Sequence, residues 1–177
     1  AILTGIAWDH INVFPTFDFY LEQFSIFIQK IEPGGVLIYN QSDETLHALV
    51  QANLRSDIRF IPYGVPAHRI DNGATVVLWP GAETAIKVFG NHNLLNMEAA
   101  RLACAEAGVS TAQFAAAIGS FTGASKRLEV LLQNEHTTVY RDFAHAPSKV
   151  KATIDAVKQQ FPNRKLIALL ELHTYSS

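Results

Sequence analysis

With 177 residues and 19.5 kDa, the chain has room for one full domain or two small ones, and 49% hydrophobic against 17% charged residues excludes a disordered polypeptide. Sixteen acidic against fourteen basic side chains leave a formal charge of -2, so there is no basic excess to hold a phosphate backbone, and nucleic acid is not expected as a partner. The single cysteine, Cys104, excludes an internal disulfide and a thiolate zinc site, and no apolar run reaches the roughly 18 residues of a membrane span; a reducing cytoplasm fits both.

In chain order, Ala1 to Ile6 reads as a short strand already in progress at a start without Met, which suggests a piece of a longer protein. The polar loop Trp8-Asp9-His10-Ile11-Asn12 follows, and Phe17 to Ile31 carries Tyr20, Phe24, Phe27, Ile28 and Ile31 at helical spacing. Pro33-Gly34-Gly35 stops that helix and Val36 to Tyr39 is the next buried strand, which makes a βαβ unit and predicts a parallel sheet. Ser42-Asp43-Glu44 caps a helix running to about Asn53; Asp57 to Tyr63 and Thr75 to Trp79 are β-rich, with a spacing that predicts an antiparallel edge. Leu94 to Ala107 is an Ala-rich helix stopped by Gly108, and Ser110 caps a second one over Thr111 to Ile118. Beyond the small-residue joint Phe121-Thr122-Gly123-Ala124-Ser125 the pattern changes to strands at Leu128 to Leu132 and Thr137 to Asp142, a helix from Pro147 to Phe161, and a buried-strand pattern at Leu166 to Leu170. The fold class is α/β, with a second α/β domain expected from residue 122.

Four segments could carry chemistry. Asp9-His10 follows a buried strand, where open α/β sheets bind ligands, although a turn Asp beside a loop His is the commoner reason for such a pair. Asn91-His92-Asn93 and Asn96 put three amides and an imidazole at the start of a helix, more than capping alone requires. Lys126 and Arg127 follow the joint, where an Arg could grip a phosphate bidentately and a surface Lys is the ordinary expectation. Asp142-Phe143-Ala144-His145-Ala146-Pro147 ends a strand and starts a helix, a second ligand position of the same kind. Cys104, in an Ala-rich helix, reads as core.

The order of these motifs resembles the Mur ligase family of ATP-dependent amide-forming enzymes. The family's Thr-Asn-Ile-x-x-Asp-His is similar to Thr4-Gly5-Ile6-Ala7-Trp8-Asp9-His10, and its Gly-x-His-Asn-x-x-Asn-x-x-Ala-Ala to Gly90 through Ala100. Phe-x-Gly-x-x-x-Arg is matched by Phe121 to Arg127, and Asp-Tyr/Phe-Ala/Gly-His-x-Pro by Asp142 to Pro147. The resemblance implies that residues 1–121 are the latter part of the central ATP-binding domain and residues 122–177 the first part of a Rossmann-like C-terminal domain. By position, it implies that His10 is a ligand of Mg2+, that His92, Asn93 and Asn96 contact the adenine of ATP, and that Arg127 reaches the ATP phosphates. Asp142 falls beside the nucleotide, and His145 joins Arg127 as a catalytic candidate. UDP-N-acetylmuramate and a peptide or amino acid are the implied substrates. Leu169 to Ser176 and Trp8 to Pro15 tilt the resemblance toward the branch that joins a recycled tripeptide over the one that joins L-alanine. The family's Gly-Lys-Thr phosphate-binding loop and acidic metal ligand are not in this sequence, so this stretch alone is expected to be inactive. The competing readings are a folylpolyglutamate synthase-like ligase, from whose Asp-Gly-Ala-His-Asn-Pro motif Phe143 and Ala146 depart, and a non-catalytic binding module.

Overall fold

The structure, a computed structural model, describes residues 1–171. It forms two compact units, one of residues 1–65 and 95–109, the other of residues 66–94 and 110–171.

The first unit is built on a three-stranded parallel sheet, β1 (Ile2–Leu3), β2 (Val36–Asn40) and β3 (Arg59–Tyr63), in the order β1-β2-β3. Helix α1 (Phe17–Gln29) connects β1 to β2 and α2 (Glu44–Ala52) connects β2 to β3. Each starts on a side chain that accepts from an otherwise unpaired amide, Thr16 from Phe19 and Asp43 from Leu46. Arg55 serves the other end of α1: its guanidinium donates to the carbonyls of Ile28, Gln29 and Ile31 while it pairs with Asp57. Alternation along β2 sorts the core. Leu37 and Tyr39 face α1 and α2 among Leu3, Ile6, Ile28, Leu46 and Val50, whereas Ile38 faces Tyr63 and Ala99 of α3 (Asn91–Glu106). Helices on both faces of a parallel sheet is the α/β arrangement that the βαβ pattern predicts. Ile28, Leu37, Leu46 and Val50 are fully buried, each worth about 1.5–3 kcal/mol of transfer free energy.

In the second unit β4 (His68–Asp71), β5 (Ala74–Trp79) and β6 (Ala82–Ile86) form an antiparallel meander. Its first turn, Asn72-Gly73, has both φ angles positive, at 49° and 78°, the twist a two-residue hairpin needs. Helix α4 (Thr111–Ile118) begins on a reciprocal Ser110–Gln113 capping box, and its Phe114 meets Trp79 edge to face. The hairpin of β7 (Glu129–Gln133) and β8 (Thr138–Arg141) is followed by α5 (Pro147–Gln160). Phe89, Leu128 and Ala156 bury a small core there with Tyr140, Val157 and Phe161, and Gln160 ties α5 to the meander through Thr75 and the Gly73 carbonyl.

Two sequence expectations are corrected, and two strands are added to those the sequence predicts. β3 is parallel to β2, because α2 carries the chain back across the sheet; only Thr75–Trp79 lies in an antiparallel sheet. β4 and β6 carry too few apolar residues to be read as strands, and pairing with β5 makes them so. Leu166 to Leu170 is not a strand: β7 and β8 pair with each other, the run gains no ladder partner among the described residues, and Leu169 is 98% exposed. Leu172 to Ser176, part of the segment that tilted the family reading, lies outside the described residues.

Candidate functional site

In the second unit, the end of β8 and the turn entering β7 are bound into one feature. Lys126 and Leu128 hold left-handed φ angles of 57° and 47°, a conformation that costs a non-glycine residue about 1–2 kcal/mol. Hydrogen bonds hold them there. The Leu128 amide donates to Asp142 Oδ2 at 2.7 Å, the Phe143 amide to the Lys126 carbonyl at 2.9 Å, and the Lys126 amide to Glu129 Oε2 at 2.8 Å. That last bond, followed by Arg141, holds the Glu129 carboxyl below its ordinary value. Arg127 sits between the two left-handed residues on an exposed turn, with its guanidinium carbon 5.8 Å from the centroid of the Phe143 ring.

Asp142 is a scaffold as well as a nucleotide candidate. Besides Leu128, its carboxylate accepts from the Ala144 amide at 2.7 Å and the Thr153 hydroxyl at 3.4 Å, which joins the turn, the loop and α5. His145 Nδ1 lies 2.9 Å from the Phe143 carbonyl; a carbonyl only accepts, so Nδ1 carries the proton and a neutral ring keeps its lone pair on Nε2.

Gly90 opens α3 at φ 85°, and its carbonyl accepts from the amides of Asn93 and Leu94. A Cβ on it would lie 2.4 Å from Ala156 Cβ and within 3.3 Å of the His92 ring, so glycine lets the start of α3 meet α5. The His92 imidazole is pushed below its ordinary pKa of 6.5, chiefly by burial; the Asp142 charge opposes this and the Arg127 charge adds to it. His92, Asp142 and Arg127 therefore act on one another electrostatically. Asn93 has a structural task, its Nδ2 donating to the Phe89 carbonyl at 2.9 Å, so part of what reads as a surplus of amides is local capping.

His10 and Asn96 belong to the first unit, and both are exposed. His10 has φ 54°, and its amide donates to Asp9 Oδ1 at 2.9 Å. The loop that carries it is anchored by residues that sequence reasoning passed over. Buried Asn40 donates to the Thr4 carbonyl, and Asp43, read only as a cap, also accepts from the Ile6 amide at 2.9 Å. A polar residue closing the apolar run Val36–Asn40 was the available signal. No group of three His, Cys, Asp or Glu among the described residues could hold a metal ion, and magnesium prefers oxygen donors. The residues present do not by themselves fit Mg2+.

What the arrangement offers is a cation at the apex of a braced turn, an imidazole with one free nitrogen, and exposed Asn91 at a helix start, a set suited to an anionic, base-bearing ligand.

Comparison with known proteins gives the class. Residues 1–104 match the family described as Mur ligase middle domain, and residues 126–174 the one described as Mur ligase, glutamate ligase domain. The chain belongs to the Mur ligase family. Among similar proteins, the UDP-N-acetylmuramate--L-alanine ligase of Mycobacterium ulcerans (strain Agy99) is 28% identical over 197 residues, covering 99% of this chain and 40% of that protein. The crystal structure of MurF from Acinetobacter baumannii superposes with a TM-score of 0.72 at 19% identity, over 93% of this chain and 37% of the other. A murein peptide ligase from Psychrobacter arcticus 273-4 does so with 0.59 at 21% identity, over 93% and 35%. At these identities the two solved structures speak for the fold alone. The chain spans about 40% of the length of the curated relatives it matches.

Proposed function

We propose that this chain is the nucleotide-facing part of an ATP-dependent ligase that joins an amino acid or peptide to UDP-N-acetylmuramate through an acyl phosphate, in the cytoplasm, for peptidoglycan synthesis or recycling. The observation that carries the reading is the Arg127 turn, tied by Asp142 and Phe143 to the loop that holds His145. No helix among the described residues is long and apolar enough to cross a membrane.

In this reading residues 1–121 belong to the central domain and residues 122–177 to the C-terminal one; the two family matches leave 105–125 between them, in support of that boundary. His92, Asn93 and Asn96 hold the adenine edge, and Asp142 both braces the turn and lies beside the nucleotide. Arg127 meets the phosphates and stabilises the charge on the transferring phosphoryl group; His145, with Nε2 free, accepts or orients a proton near the reacting groups. His10 enters only as one donor among Mg2+ ligands that the described residues do not supply.

The names of the curated relatives favour L-alanine as the amino substrate, whereas the sequence tilts toward a tripeptide. The deciding experiment uses the full-length enzyme that contains this segment, with phosphate release from ATP measured in the presence of UDP-N-acetylmuramate and either L-alanine or L-alanyl-γ-D-glutamyl-meso-diaminopimelate. Release that requires UDP-N-acetylmuramate and one of the two amines is expected. ATP hydrolysis indifferent to all of them, or none at all, overturns the ligase reading.

A further inference from the structure

We propose that Phe143 is a positioning residue that carries the Arg127 guanidinium on its ring face and so keeps the cation undischarged and aimed outward. The inference rests on the reading of Arg127 as the phosphate-facing cation. Phe143 is 57% exposed, so burial does not account for a large aromatic side chain at this place. Its ring has two polar neighbours, the guanidinium at 5.8 Å and the His145 imidazole, 5.1 Å away and tilted 66° to it. Its backbone engages the same two residues' loops, the amide donating to the Lys126 carbonyl and the carbonyl accepting from His145 Nδ1.

Two physical consequences follow. An exposed arginine loses rotamer freedom when it binds phosphate, and a ring face attractive to cations restricts that freedom beforehand. A carboxylate could restrict it too, but would neutralise the charge and occupy the N–H donors. The nearby carboxylate, Asp142, is engaged by the Leu128 and Ala144 amides and the Thr153 hydroxyl. A ring holds the cation by its face and leaves the in-plane N–H groups for phosphate oxygens.

Two measurements test this. In the 177-residue chain, NMR of the Arg127 side chain should show a ring-current displacement that F143L abolishes and F143Y preserves, with the thermal midpoint unchanged in both. In the full-length ligase, F143L should lower kcat about two- to fivefold with KM for ATP unchanged, the span expected of an exposed cation–π contact. F143Y should restore the rate, and F143L should add nothing in an R127A background. An Arg127 signal unmoved by F143L, an equal loss in the R127A background, or a rise in KM for ATP at constant kcat would each overturn the proposal, the last by making Phe143 a nucleotide contact. If R127A itself leaves kcat intact, the Arg127 reading falls and this inference with it. If R127A abolishes turnover while F143L is silent, the inference alone falls.

Discussion

Two neighbouring cations, Lys126 and Arg127, separate surface charge from chemistry, because both are exposed and only Arg127 lies on the Phe143 ring. Arg127→Ala in the full-length enzyme should lower kcat by about 100- to 1000-fold, with a much smaller change in KM for ATP, as expected for a contact realised mainly in the transition state. Lys126→Ala keeps the backbone bonds of the turn and should be nearly silent; equal small effects in steady-state kinetics would reduce the pair to solvated charge. His92 gives a second test. Its imidazole is held below 6.5 mainly by burial, so below about pH 6.5 the unfolded chain takes up a proton that the folded chain resists. The stability contributed by neutral His92 is complete above that pH and is lost as pH falls toward the folded-state value. Urea midpoints measured from pH 7.5 down to 5 should therefore decline, and His92→Gln should decline less steeply. An unchanged slope in the variant would assign the decline to other groups.

At the scale of elements, the start of α3 is the most constrained joint in the second unit. Gly90→Ala places a methyl 2.4 Å from Ala156 Cβ at a φ of 85°, adding about 1–2 kcal/mol for the left-handed backbone and about 1–3 kcal/mol for overpacking. Denaturant unfolding should show that loss, whereas Gly81→Ala, also left-handed but with nothing within 4 Å of the added Cβ, should show the backbone part alone. The elements themselves were legible where a local cause makes them. Thr16, Asp43 and Ser110 announce helix starts because a side-chain oxygen reaches an amide three residues on, and Gly108 announces a stop through its φ of 86°. The direction of β3 and the unpaired state of Leu166–Leu170 are not legible for the opposite reason: pairing direction, and pairing at all, depend on residues far along the chain, although β3 is a strand where its β-rich sequence predicts one. Of the site, the motif residues were readable by type and order. The structural duties of Asp142 and Asn93 were not, since a carboxylate bound to amides and one free for a ligand are identical in sequence.

For the whole molecule, the segment of greatest consequence is 121–125. It is neither helix nor strand, Phe121 is 48% exposed, and Gly123 has φ 96°. Such a segment can absorb the dihedral changes of a hinge, and we propose that role for it between the central and C-terminal ligase domains. Limited chymotrypsin digestion should cut after Phe121 before it cuts within β2 or α2, and in the full-length enzyme ATP with UDP-N-acetylmuramate should slow that cut. Early cleavage inside β2 would mean that the first unit, and not the joint, opens most readily.

The Asn72-Gly73 turn also bears on how the protein ages. An asparagine followed by glycine is the pair most open to attack by the next backbone nitrogen on the side-chain amide, which expels ammonia and leaves, after hydrolysis, aspartate or isoaspartate. Isoaspartate inserts a methylene into the main chain at the one place where β4 and β5 need two consecutive positive φ angles. It would also displace the Gly73 carbonyl from its 2.7 Å bond with Gln160. Samples stored at pH 8 and 37 °C should gain 1 Da on the peptide containing Asn72 and unfold at lower urea, and Asn72→Asp, already deamidated but with an intact backbone, should keep its midpoint far better.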